Sequence, residues 1–324
     1  MIAGAQPTDP GLLSALVDNS AAIRLQLDTA LVQQSTGRVS DTYAGLGAGV
    51  HASLDLSPAI QHHQVWQANI DHATGVLDVT QSALSQIAAI ASSFRAQTNA
   101  INSVGVSQVA SIAAAAQQAL QQVAQLLNTQ SGDVYVFAGQ DSGNPPVPNT
   151  DPAALGADLL ASDTATAPFS ATIGTKPPLV EVGNGQFLAA GVLANQNASV
   201  TSTAPTTGSY MRDVMRSLAT LAALTDGPAA QATAADVRSR LTSAVTAIAD
   251  ERGALGSAEA SLKTRQAGLA ATRIALTKQV SNVQDVDMAA TLTKVSALQT
   301  QLQASYQVIA GMKSLSLVNF LPAG

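Results

Sequence analysis

Leu241, Ile248, Leu255, Leu262, Leu269, Leu276 and Val283 recur every seventh residue with no proline between them. A seven-residue apolar repeat held this long stays on one side only if the helix supercoils against a partner, because a straight helix of about 3.6 residues per turn would carry the stripe around its axis. The spacing predicts a helix from about Ala234 to Val283. The same periodicity predicts a first helix over Leu13 to Gln34, with Leu13, Leu16, Ile23, Leu27 and Leu31 on one side. A second runs from about Ile60 to Asn102, with Trp66, Ile70, Ala73, Leu77, Thr80, Leu84, Ile87, Ala91, Phe94 and Ile101 at heptad positions. It is a rod of roughly 60 Å at 1.5 Å per residue. A third covers Val106 to Thr129 through Val109, Ile112, Ala116, Val123 and Leu126. Tyr210 to Leu224 is a shorter helix. A last one, from about Met288 to Ser316, carries Leu292, Val295, Leu298, Leu302, Ile309, Met312 and Leu315.

The breaks between these stripes set the domain plan. Ser35-Thr36-Gly37 ends the first helix, and Arg38 to Pro58, with Gly45-Leu46-Gly47-Ala48-Gly49, reads as an ordered glycine-rich loop. Gly105 separates the second helix from the third. At Ser131-Gly132 the texture changes: Val134-Tyr135-Val136-Phe137 has β composition and is followed by the breaker run Gly143 to Pro148. Short apolar stretches then follow at Phe169 to Ile173, Leu179 to Val182, Phe187 to Leu188 and Ser199 to Thr203. The fold class is therefore mainly α with a small β-rich insert, built on a long antiparallel coiled-coil rod formed by the N- and C-terminal helices. Residues 1–45 and 284–324 make a terminal helical region, 46–130 and 209–283 the rod, and 131–208 the insert. For the C-terminal stripe to be covered, the two ends of the chain must pack together, with the insert at the far end.

Composition sharpens this. Only 11% of the 324 residues are charged and 3% are aromatic, against about a quarter charged in a typical soluble domain. Such rods have Ser, Thr, Gln and Asn faces that are cheap to desolvate against neighbouring copies. An intramolecular bundle and a self-assembling rod both fit the stripes, and the low charge favours assembly. The net charge of -6 and the lack of a Lys/Arg cluster argue against nucleic acid or an anionic membrane as partner. Cysteine is absent, which excludes disulfides, Cys-based zinc sites and thiol catalysis. Met1 to Pro10 lacks the basic and apolar segments of a cleaved signal peptide, so the chain is expected to be soluble or exported by a route that needs none.

No catalytic, cofactor or metal constellation emerges. His62 and His63 point about 100° apart on one helix, and His72 lies some three turns on, with His51 more distant; these read as solvated helix histidines. Asp285 and Asp287 flank a helix break, where a carboxylate caps the next helix more readily than it serves as a general acid. Gly45, Gly47 and Gly49 lack the spacing and the preceding strand of a phosphate cradle. Asn197-Ala198-Ser199 matches a glycosylation sequon, a pattern too short to carry weight alone. The expectation is of a protein that is not an enzyme.

Several segments resemble a known family. Ser35-Thr36-Gly37-Arg38-Val39-Ser40, followed by Tyr43-Ala44-Gly45-Leu46, is similar to the stretch after the first helix of bacterial flagellins. Asn69-Ile70-Asp71-His72-Ala73 with Leu77, Thr80 and Leu84 resembles the family's next helix. Glu251-Arg252-Gly253-Ala254-Leu255-Gly256 and Ser281-Asn282-Val283-Gln284-Asp285-Val286-Asp287-Met288-Ala289 resemble its C-terminal segments. Within the family, Val136-Phe137-Ala138-Gly139-Gln140-Asp141 with Pro145-Pro146, and the ending Ser316 to Leu321, are similar to the hook-associated protein 3 type, found at the hook–filament junction.

The resemblance implies a structural subunit of the flagellum that joins hook to filament through helical self-assembly of its terminal coiled coils. Its assembly interface would be Leu13, Leu16, Ile23, Leu27 and Leu31 with Leu292, Val295, Leu298, Leu302, Ile309, Met312 and Leu315. Ser35, Thr36, Gly37, Arg38, Asn69, Ala73, Arg252, Asp285 and Asp287 carry the family motifs. Implied partners are copies of itself or related axial proteins, meaning hook-associated proteins and flagellin, together with the flagellar export apparatus and an export chaperone. No cofactor, metal, nucleic acid or membrane partner is implied, and the place is the extracellular flagellum. Filament flagellin is the alternative within the family, and a non-flagellar secreted helical interaction protein the alternative outside it.

Overall fold

The heptad stripes find their partners within one chain. A computed structural model describes residues 10–101, 106–139, 141–161, 167–195 and 208–318. The helices are α1 (Pro10–Thr36), α2 (Val50–Ala100), α3 (Val106–Leu127), α4 (Pro152–Ala161), α5 (Tyr210–Ala222), α6 (Ala230–Gln284) and α7 (Met288–Val318). The strands are β1 (Gln130–Ser131), β2 (Val134–Tyr135), β3 (Leu179–Gly183) and β4 (Gln186–Ala189). They pair as two separate antiparallel hairpins, β1 with β2 and β3 with β4. The chain is mainly α with a small β insert. It divides into two compact units, one of Met1–His62 with Thr272–Gly324 and one of His63–Ala271.

Two local expectations give way. Tyr43–Gly49 is a 3-10 helix interrupted at Gly47, and α2 starts at Val50 and runs straight through Pro58. Pro58 withholds a hydrogen bond from the Leu54 carbonyl, but Leu54 is 47% exposed, so water can serve that carbonyl. Within 131–208 the strands are shorter than composition suggested, and Phe169 to Ile173 forms turns rather than a strand. Helix α4 was not foreseen. It follows from Asp151-Pro152: the Asp151 carboxylate accepts from the Ala154 amide at 2.9 Å, and proline at the first helical position gives up only an N–H that would have no partner there. Ser199 to Thr203 and the Asn197 sequon lie outside the described residues.

In the unit of His63–Ala271 the long ladder is a core. Leu241, Ile248, Leu255, Leu262 and Leu269 are buried, as are Ile70, Ala73, Leu77, Thr80, Leu84, Ile87, Ala91 and Phe94 of α2. Each large side chain buried this way contributes about 1.5–3 kcal/mol. Polar pairs fix the register. Asp71 accepts from Gln266, Glu259 accepts from Gln81 at 3.1 Å, and the Thr98 carbonyl accepts from Arg238 at 3.0 Å. Each step forward on α2 matches a step back on α6, so the two are antiparallel neighbours. Packing thus covers this stripe inside one chain, the bundle outcome for this part of the molecule.

Within this unit the insert packs beside the early turns of α2. Asn69 donates to the Glu181 carbonyl at 3.2 Å, and Arg265 to the Val182 carbonyl and the Gln186 side chain, both at 2.9 Å. The β3–β4 hairpin therefore flanks the stretch where α2 comes into this unit and α6 leaves it. The reason is connectivity: α3 turns back on α2 and spans about 33 Å, so the insert begins beside the early turns of α2. Asn128 at the end of α3 holds the proline-rich loop, donating to the Val147 carbonyl at 2.7 Å and accepting from its amide at 2.9 Å.

Candidate assembly site

The terminal unit is built on α1 and α7. Gly37, with φ +71°, ends α1 in the left-handed conformation that glycine adopts without strain, and its amide reaches back to the Gln33 carbonyl at 2.9 Å, a common helix stop. Thr36 donates to the Val32 carbonyl and accepts from the Arg38 amide. The break between α6 and α7 lies alongside this one. Val39 donates to Gln284 O at 2.7 Å, Val286 to Gly37 O at 3.0 Å, and Arg38 faces Asp285 in an antiparallel bridge. Asp287 caps α7, its carboxylate accepting from Ala289 at 2.9 Å and Ala290 at 3.1 Å. Gly49 packs so closely on Val283 that a Cβ would lie 2.1 Å from a valine methyl. The two breaks form one stitched joint.

From this joint α1 and α7 run side by side and antiparallel. Ile23, Ala30, Val295 and Leu298 are buried together, with Leu27 and Leu302 packed against them. Leu16, Ile309 and Met312 are half-buried. Leu31 is 41% and Leu292 47% exposed. Leu13 and Leu315 fall in α1 and α7, but their side chains lie outside the described residues. Sequence reasoning missed the small and polar members of the seam, Ser20, Ala30 and Thr291, all buried. The signal was available: 16, 20, 23, 27, 30, 34 and 291, 295, 298, 302, 305, 309, 312 alternate steps of four and three, the heptad rule. A search for large apolar residues passes over alanine, serine and threonine in that series.

The remaining motif residues are scattered over the fold. Asn69 ties the hairpin to α2, Ala73 is in the core of the other unit, and Arg252 is exposed on α6. His51, His62 and His72 are exposed, while His63 packs edge-on against Trp66 at 5.2 Å. Among the described residues no three His, Asp or Glu side chains gather as metal ligands, and no helix is long and apolar enough to cross a membrane.

Several ionisable groups of the His63–Ala271 unit are shifted, each for an ordinary cause. The hydrogen bond from Lys263 lowers the Glu259 carboxyl and raises the lysine in return. Asp141 is lowered by the Thr172 hydroxyl and the Asn144 amide. Tyr210 is pushed well up by burial and then by the charge of Glu251. A cleft of about 370 Å³ beside α2 is lined mostly by Val76, Val134, Val136, Leu179 and Val180 with His72 and Tyr135. Ser142 lines it as well, but no hydrogen bond joins His72 to the Ser142 or Tyr135 hydroxyl, the pairing that activates a nucleophile.

Comparison with known proteins agrees with this arrangement. The bacterial flagellin N-terminal helical region matches residues 13–142, and the bacterial flagellin C-terminal helical region matches residues 239–321. No curated protein sequence matches the chain significantly. A solved structure from Vibrio parahaemolyticus, of a protein assigned as flagellar hook-associated, shares 12% identity at a TM-score of 0.57, covering 75% of this chain and 99% of that one. At that identity the likeness is one of fold. Helical regions that match at both ends, joined through an antiparallel α1–α7 pair, place the chain in the bacterial flagellin family.

Proposed function

We propose that this chain is a structural subunit of the bacterial flagellum that joins hook to filament. Membership of the family is that of a structural protein rather than an enzyme. The observation that carries the assembly reading is the outer surface of the α1–α7 pair. Val17, Leu25 and Val32 on α1, and Leu292, Tyr306 and Val308 on α7, are each more than 45% exposed. Two helices cannot cover these side chains between them, and contacts with other subunits would bury them. Copies of the chain, or related hook-associated proteins and flagellin, would supply those contacts. Export through the flagellar apparatus with a chaperone belongs to the same reading.

The junction role rests on the motif at Val136. Val136, Phe137 and Ala138 are buried, the Phe137 carbonyl accepts from Ala194 at 3.1 Å, and Gly139 has φ +67° with Leu193 and the Lys176 carbonyl where a Cβ would be. The motif therefore organises the insert, the part in which junction and filament subunits differ by resemblance. The similar ending, Ser316 to Leu321, lies partly outside the described residues. Filament flagellin is the second reading, favoured by the family match alone. Electron microscopy of cells lacking the protein separates the two: bare hooks with filament secreted into the medium support a junction role. Added to purified hooks, the protein should form a short terminal collar; growth of long tubes would make it the filament subunit.

A further inference from the structure

Leu25 and Ile274 are the two most exposed large apolar side chains among the described residues, at 69% and 66%. Both belong to the terminal unit, and their settings are opposite in sign. Leu25 lies between Asp18 and Asp28, and on a helix of about 100° per residue all three fall within roughly 80° of one another, directly away from the seam with α7. Ile274 and Lys278, about 40° apart, lie on the face of α6 turned away from its heptad ladder, and Arg273, about 100° round from Ile274 toward that ladder, joins them in lining a shallow groove. Arg24, a third charge on α1, lies about 100° round from Leu25 and borders the patch one turn before Asp28. None of Asp18, Asp28, Arg273 and Lys278 forms an ion pair with another described residue, and the Arg273 Nε is withdrawn from water with no hydrogen-bond partner.

We propose that these are the two halves of one contact between copies: the acidic Leu25 face of α1 in one subunit docks on the basic Ile274 face of α6 in the next. This rests on the assembly reading above and specifies which faces meet. Within a chain the two patches sit on different helices and neither covers the other. A contact between unlike patches is heterologous and repeats from copy to copy into a ring or an open helix. Burying Leu25 and Ile274 supplies the apolar attraction, and the charges choose the partner face and penalise the alternatives, since like charges brought together across an interface are strongly disfavoured.

The chain has no cysteine, so cross-linking reads the contact directly. The full-length double variant Leu25→Cys, Ile274→Cys, assembled with or without purified hooks and mildly oxidised, should give a ladder of covalent oligomers, because bridged cysteines need Cα atoms within about 7 Å. Each single variant should stop at dimer. Normal assembly of the double variant with no ladder would overturn the contact. In a second experiment, Asp18→Lys with Asp28→Lys, and separately Arg273→Glu with Lys278→Glu, should each raise the concentration needed for assembly about tenfold, roughly 1.4 kcal/mol, with helix content unchanged. Mixing the two variants should restore assembly, because each basic face then meets an acidic one. Undiminished assembly of either variant alone, or no rescue on mixing, would also overturn the contact. The unaltered chain is the control: if it joins neither hooks nor itself, the assembly reading fails first and the contact with it.

Discussion

Tyr210 shows how one side chain ties burial to pH. It is fully buried at the start of α5, and its hydroxyl has no partner among the described residues. Burial disfavours the phenolate, and the charge of Glu251 adds to this. A folded-state value above the unfolded one contributes stability that is complete below the unfolded value, about 10, and is lost as pH rises from there toward the folded value. Tyr210→Phe keeps the ring and removes the orphan oxygen. It should leave stability at pH 7 unchanged or slightly higher and blunt the alkaline loss, as urea unfolding followed by circular dichroism between pH 8 and 11 would show. Asp287 works through geometry. Replacing it with alanine removes both acceptor contacts to the first turn of α7 and should cost about 1 kcal/mol, read as faster hydrogen exchange at the Ala289 and Ala290 amides.

At the scale of an element, the heptad ladder gives a graded expectation. Leu262 is fully buried and Leu276 is half-buried. Leu262→Ala should destabilise its unit by about 2–5 kcal/mol, and Leu276→Ala should cost clearly less, measured by chemical denaturation of each variant. The long helices were legible in the sequence because apolar side chains seven residues apart must share a face. The phase of the terminal seam was less so, since Ala30 rather than Leu31 sits inside, and Thr291 rather than Leu292: small residues let the helices approach, and size alone does not reveal them. Asp287 as a cap could be read from residue type and position. The α4 helix was signalled by Asp151-Pro152 but masked by the surrounding glycine and proline. The packing of the insert on the early turns of α2 was not legible, because periodicity carries no record of where a returning helix ends.

For the molecule as a whole, the two units differ in how their apolar surface is satisfied. The His63–Ala271 unit has an extensive core in which α2, α3, α5 and α6 cover one another with Phe137, Leu155 and Leu159 of the insert. The terminal unit has a thin one, Ile23 and Ala30 against Val295 and Leu298, beneath an outer surface rich in exposed leucine and valine. A helix depends on tertiary packing for most of its stability, so α1 relies on α7 and both rely on whatever covers their outer faces. Deleting Leu292 to Gly324 removes Val295, Leu298 and Leu302 and leaves Ile23 facing water. None of those residues contributes to the core of the other unit. The truncated chain should therefore keep the cooperative thermal transition of His63–Ala271, lose protection of the α1 amides in hydrogen exchange, and fail to join hooks or copies of itself. A truncated chain that still assembles would mean that neither α7 nor its packing on α1 is needed for assembly.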